Sequence, residues 1–325
     1  MDPSPTPEQI FDANYKALTE HDPDYDYDLN IYYHCQDLLS KGTDANQTLS
    51  LFNTSLQDTA SLILAFDLIR ATVIPPNMME DYQTNKRLMK WLESQGANFR
   101  GIRIFYESNG YRGIKINQRT LNGERILVVP RECIITHEDA RDCSVIGKIL
   151  SGKNIEFFAS NHTYLAIFLL QEWDRGENSK WKLYLDSLPQ DFSNHPINFV
   201  DTELSLLAGC SNIANQITSL QQQMRSDYDK CCQNCENFQT RFTFEKFSHF
   251  RCSVSSRMFG FEIGPLKTGG LVPFADMLNH RRPKLIFWDY DNVSAVKNFN
   301  FEVLEDLEPG AEIFDSYGKK CNSRF

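Results

Sequence analysis

Four stretches hold side chains whose types and spacing could do chemistry: NGYRGIKI (Asn109 to Ile116), SSRMF (Ser255 to Phe259), FADMLNH (Phe274 to His280) and FDSYGKKCNSRF (Phe314 to Phe325). A turn built on Gly110 lets backbone groups approach a ligand closely, because glycine has no Cβ. A guanidinium such as that of Arg257 can hold a carboxylate through two parallel hydrogen bonds. Together these features suit a ligand that carries amino-acid groups. Tyr317, with a reference pKa of about 10, is a poor base at neutral pH and is better suited to orienting a reacting group. Each residue also has a structural reading when taken alone. Tyr317 could be a strand-end tyrosine, His280 a core histidine, Arg257 an ordinary charge near a helix end, and Asp276 a turn cap.

Cys232 and Cys235 form a CxxC with Cys231 beside it, a pattern that raises the question of zinc. No second cysteine pair follows at zinc-finger spacing. Cys231 and Cys235 are four apart and continue an apolar stripe from Tyr228 towards Phe238, so they read as small core residues. No metal is expected.

The chain around these residues has 325 positions, 41% of them hydrophobic, which is enough for a true core. Its net charge of -10 is unevenly placed. Residues 1–85 hold fourteen acidic side chains against Lys16, Lys41 and Arg70, whereas the remainder is near neutral. That balance argues against general nucleic-acid affinity, which needs a basic face to neutralise phosphates. The acidic leader reads either as a solvated arm or as a surface for a basic protein partner. Nine cysteines, an odd number scattered along a long chain, point to reduced thiols rather than a disulfide framework. The amino terminus lacks the basic and then apolar run of a secretory signal, and the best apolar segment, Ser61 to Phe66, is too short to cross a bilayer. An intracellular protein, cytoplasmic or nuclear, is expected, acting as a monomer without nucleic-acid or membrane partners.

The elements that must position the four stretches fall into zones. Residues 1–85 form an acidic extension, helical or partly disordered, with a loose stretch from Pro23 to Asp28, helical spacing from Thr59 to Ala71, and Pro75-Pro76 at its end. An amphipathic stretch with Leu88, Trp91 and Leu92 then stops at Gly96. Strands are predicted at Ile102 to Tyr106, Gly113 to Ile116 and Ile126 to Val129, with turns at Asn109-Gly110 and Asn122-Gly123. A helical insert occupies about 155–260. It includes Tyr164 to Trp173 and a stripe of Ile213, Ile217, Leu220, Met224 and Tyr228. Strands return at Leu271 to Phe274, Leu285 to Tyr290, Phe299 to Leu304 and Glu312 to Tyr317. Two groups of strands around a helical insert make an α+β fold, and the absence of βαβ alternation argues against a doubly wound sheet.

In order, spacing and strand context, FADMLNH and FDSYGKKCNSRF together resemble the paired signature of SET domains, in which an Asn-His pair and a terminal Tyr-Gly cross in a knot-like segment. KWKLYLDSLP (Lys180 to Pro189) and NGYRGIKI behind LMKWLESQGA (Leu88 to Ala97) are similar to the split SET domain of the Rubisco large-subunit and actin-histidine methyltransferase class. The resemblance covers roughly residues 86–325. It implies a protein methyltransferase using S-adenosylmethionine, with lysine as the acceptor; a histidine acceptor, or a silent SET-fold adaptor, is the alternative. It also implies that Gly110, Tyr111 and Arg112 form a turn against the methyl donor. Arg257 would lie near the donor carboxylate, Asp276, Asn279 and His280 would hold the donor, and Tyr317 would be the active-site tyrosine. Arg281, Arg282 and Pro283 stand where many SET domains continue towards a zinc cluster, which fits the zinc-free class.

Methyl transfer from a sulfonium is an in-line displacement in which the protein chiefly aligns nitrogen, carbon and sulfur. A lysine acceptor must first lose its proton. With a pKa of about 10.4, only about a thousandth is neutral at pH 7.4, and burial in an aromatic channel lowers that pKa.

Overall fold

The computed structural model describes residues 76–107 and 109–318; the expectations for Pro23 to Asp28, Ser61 to Phe66 and Thr59 to Ala71 lie outside them. The chain divides into two compact units.

In the smaller unit, β2 (Ile102–Tyr106) and β3 (Arg112–Ile116) form an antiparallel hairpin in register from Ile102 opposite Ile116 to Tyr106 opposite Arg112. The hydrophobic alternation explains it. Ile102, Ile104 and Tyr106 are buried while Arg103 and Phe105 between them are half-buried. Asn109-Gly110 makes the turn: Gly110 has φ 87°, and the Tyr111 N–H donates to the Asn109 side chain at 2.8 Å. β3 also pairs antiparallel with Glu312 and Ile313, the first half of β11 (Glu312–Asp315).

In the larger unit, β1 (Asn98–Phe99), β4 (Arg125–Pro130), β10 (Asn298–Val303) and β9 (Ile286–Tyr290) form one sheet in the order β1-β4-β10-β9. A second sheet has the order β5-β7-β6, from Ile135–Thr136, Leu266–Leu271 and Phe259–Ile263. Phe259, Phe261, Trp288, Phe299 and Phe301 meet largely edge to face, with Phe261 and Phe299 centroids 5.0 Å apart. The short strand β8 (Asn279–His280) runs parallel to the second half of β11, Phe314 opposite Asn279 and Asp315 opposite His280.

Helix α1 (Met79–Ser94) runs through the chain boundary between the units and buries Leu88 and Leu92 completely. It ends where the sequence places its stop. Gly96, at φ 95°, donates to the Glu93 carbonyl and Ala97 to the Leu92 carbonyl, the paired bonds that close a helix on a left-handed glycine. Between β5 and β6 come α2 (Val145–Gly152), α3 (Ser160–Asp174), α4 (Lys182–Ser187), α5 (Asp201–Leu206), α6 (Ser211–Asn234), α7 (Phe238–Arg241) and α8 (Phe244–Arg257). α8 packs along α3, whose Leu165, Ala166, Ile167, Leu169 and Leu170 are fully buried.

Three expectations move. The strand predicted from Leu271 lies earlier, at Leu266–Leu271, and its partner Phe259–Ile263 falls where a helix was still expected. Gly269 and Gly270 hide the alternation of the first, and the turn at Gly264, φ 58°, joins the two as a hairpin. Trp173 and Leu220 are largely exposed. At 100° per residue, Leu220 sits about 60° off the line joining Ile217, Met224 and Tyr228, which are buried. Cys231 and Cys235 continue that line and are buried as free thiols, their pKa values raised chiefly by burial.

Candidate active site

Asn279-His280 and Tyr317 are distant in sequence, and the parallel pairing of β8 with β11 brings them together. The backbone N–H of Tyr317 donates to His280 Nδ1 at 3.0 Å, and the two rings stack with centroids 5.0 Å apart and planes inclined by 28°. That bond requires an unprotonated Nδ1, so a neutral His280 carries its hydrogen on Nε2. The Tyr317 hydroxyl donates to the Leu278 carbonyl at 2.7 Å, which fixes the phenol against the strand that leads into His280. Burial pushes the Tyr317 pKa above its ordinary value; the Arg257 cation opposes this, and Asp276 and Asp315 add to it. The phenol is therefore a hydrogen-bonding group at neutral pH rather than a base.

Arg257 ends α8 and Asp276 sits in the 3-10 turn Ala275–Met277. Their side chains are paired at 3.3 Å, with Asp276 completely enclosed, and Arg257 Nη1 also donates to the Asp276 carbonyl at 3.1 Å. Tyr184 of α4, itself fully buried, donates to Asp276 Oδ2 at 2.8 Å. Phe274, just before the turn, has φ 70° and ψ -46°, a backbone region that a non-glycine residue occupies at a cost of about 1–3 kcal/mol. It is held there by complete burial and by edge-on contact with Phe99 at 4.6 Å. The network leaves two buried atoms, Asp276 Oδ1 and Arg257 Nε, without a hydrogen-bond partner among the described residues. An unsatisfied buried acceptor costs about 1–3 kcal/mol, more for a charged group, so these two atoms retain unused hydrogen-bonding capacity.

A chain of this sequence thus brings Arg257, Asp276, His280 and Tyr317 into one electrostatic neighbourhood from three separate segments. Gly110, Tyr111 and Arg112 belong to the smaller unit. There Arg112 is held by both oxygens of Asp81 at 2.6 Å, and the Tyr111 hydroxyl donates to Glu312 at 2.7 Å. Tyr184 lies within KWKLYLDSLP, where nothing in the sequence gives it a role of its own. A tyrosine between two leucines in a short helix looks like core, and only its partner across the fold reveals the bond its hydroxyl makes.

In comparisons with solved structures, the chain is similar to the SET domain of LSMT bound to methyl-lysine and AdoHcy, with a TM-score of 0.62 and 21% identity over 74% of this chain and 55% of that one. The fold is a SET domain. A structure of Rubisco LSMT bound to AdoMet gives a TM-score of 0.60 at 22% identity, covering 74% of this SET-domain chain and 54% of that one. Among curated proteins, the actin-histidine N-methyltransferase of Drosophila melanogaster is 25% identical over 299 residues, 82% of this chain and 53% of that protein. That of Gallus gallus is 28% identical over 255 residues, 73% and 40%. The chain spans about half the length of these relatives. No family model matches it. Among the described residues, no helix is long and apolar enough to cross a membrane, and no group of three or more His, Cys, Asp or Glu could hold a metal ion.

Proposed function

We propose that this SET domain is an S-adenosylmethionine-dependent protein methyltransferase that modifies a lysine side chain. The observation that carries the reading is the junction of β8 and β11, where Tyr317 stacks on His280 beside the Arg257-Asp276 pair. The orphaned buried atoms Asp276 Oδ1 and Arg257 Nε fit a ligand that bears both a donor and an acceptor, as the amino-acid end of the methyl donor does. Arg257, Asp276, Asn279 and His280 would hold the donor; Gly110, Tyr111 and Arg112 are a separate proposal for donor contact, to be tested by their own substitutions. The bound donor supplies an electrophilic methyl on sulfonium, which becomes a neutral thioether as the nitrogen lone pair takes the methyl carbon.

The chain's own residues act by position. The Tyr317 hydroxyl, anchored on the Leu278 carbonyl, limits where an acceptor nitrogen can sit, and its raised pKa keeps it protonated. Proton loss from the acceptor is then left to desolvation and solvent, not to tyrosinate.

A histidine acceptor is the second reading, favoured by the names of the curated relatives. The two differ in their pH response. An imidazole with a pKa near 6.5 is largely neutral at pH 7.4, so its rate levels off just above that value. A lysine rate keeps climbing about tenfold per pH unit until the bound amine titrates. Methylation of candidate proteins with mass-spectrometric mapping of the modified residue, followed across pH, tests both. Absence of S-adenosylmethionine binding by the folded protein would instead favour a silent SET-fold adaptor.

A further inference from the structure

Tyr184 is fully buried on α4 and its hydroxyl meets one atom of the Arg257-Asp276 network, Asp276 Oδ2, at 2.8 Å. That oxygen also faces Arg257 Nη1 at 3.3 Å. The Tyr184 hydrogen bond and the Arg257 ion pair both fall on Oδ2 and fix the rotation of the carboxylate, because turning it would exchange the oxygens and strip both contacts. Oδ1 is consequently held in one direction, buried and without a partner among the described residues. Arg257 Nε is likewise buried without a partner among the described residues. Burial holds the Tyr184 phenol well above its ordinary pKa, so the donor persists across the working pH range.

We infer that Tyr184 is a positioning residue for the methyl donor, acting through Asp276 so that Oδ1 receives the ammonium of the donor's amino-acid end while Arg257 faces the neighbouring carboxylate. The inference rests on the methyltransferase reading and adds to it a residue ninety-two positions away from the carboxylate it aims. A carboxylate freed to rotate presents Oδ1 for only part of the time, and part of its charge-assisted bond to the ligand is lost.

The control comes from a second buried tyrosine. Tyr228 donates to the Phe242 carbonyl at 2.8 Å, the same kind of bond in a place that touches none of these groups. The test is calorimetry on the full chain with two ligands, S-adenosylmethionine and 5′-methylthioadenosine, which lacks the amino-acid end. Tyr184→Phe should weaken S-adenosylmethionine binding about ten- to a hundredfold and change 5′-methylthioadenosine binding less than about twofold, as expected for one charge-assisted hydrogen bond. Tyr228→Phe should lower the melting temperature and leave both affinities unchanged. Asp276→Asn, with Tyr184 intact, should show the same ligand-selective loss, and adding Tyr184→Phe to it should bring less than about a twofold further change. Wild-type affinity for S-adenosylmethionine in Tyr184→Phe, equal loss of both ligands in either variant, or full additivity in the double variant overturns the inference. A wild-type protein that is folded and binds neither ligand removes the methyltransferase reading itself, and the role of Tyr184 with it.

Discussion

Two buried aspartates in the larger unit show how differently a fold can treat the same group. Asp227 of α6 is completely enclosed and saturated. Its carboxylate accepts the N–H of Phe158 at 2.9 Å, the N–H of Ala159 at 3.3 Å and the Thr163 hydroxyl at 2.8 Å, all at the start of α3. The two N–H groups lie at the N-terminal end of α3, where a helix leaves backbone donors without an internal partner, so Asp227 is a cap supplied from another helix. Asp276 is equally enclosed, but the hydrogen bond from Tyr184 and the ion pair with Arg257 both fall on one oxygen, and the other has no partner among the described residues. Burial alone therefore does not separate the two carboxylates. Incomplete satisfaction, next to a strained backbone at Phe274, does, and it is what the proposed donor role of Asp276 rests on.

Breaking the saturated site should have the largest effect. Asp227→Ala orphans three donors at about 1–3 kcal/mol each, so denaturant unfolding should show a loss of about 4 kcal/mol, while activity per folded molecule stays unchanged. If activity falls in the folded fraction, the contrast between the two aspartates fails. On the functional side, Tyr317→Phe should leave stability near wild type, because the ring is partly exposed, yet lower the methylation rate about a hundredfold in single-turnover assays. The phenol keeps its proton above the ordinary tyrosine range, so activity should not decline between about pH 8 and pH 10 through loss of this group.

A third carboxylate sharpens the comparison by lying between these extremes. Asp139 is only partly enclosed; burial raises its pKa, but the two bonds from Arg131 and those from Thr136 outweigh it and hold it below the ordinary value. Its folded pKa is below the unfolded one, so its contribution is present above about pH 4 and is lost as pH falls through the lowered value. Acid unfolding of Arg131→Gln should show a shallower loss across that window than wild type. The smallest effect belongs to Leu220→Ala, which should change stability by less than about 0.5 kcal/mol despite the residue's place in an apolar series.

Much of the fold was legible in the chain. The Asn109-Gly110 turn, the stop at Gly96 and the alternation of Ile102, Ile104 and Tyr106 are local signals, and each produced the expected element. The β6-β7 hairpin was hidden because Gly269 and Gly270 lie in β7, and Gly269 would press a side chain into Met258. Of the proposed site, the Asn279-His280 pair and Tyr317 come from motif and order, and Arg257 and Asp276 from the positions they match in the same resemblance. Their pairing was not readable, and neither was Tyr184.

The division has a simple cause. Turn chemistry, helix termination and hydrophobic period act over a few residues, so residue order alone determined an α+β chain with strands on either side of a helical block. Which oxygen of Asp276 is covered, which nitrogen of Arg257 is left bare, and that Tyr317 closes on His280 depend on contacts across many tens of residues. Only the packing of α4, α8, β8 and β11 against one another decided those, because a hydrogen bond of 3 Å tolerates no freedom that sequence spacing could leave open.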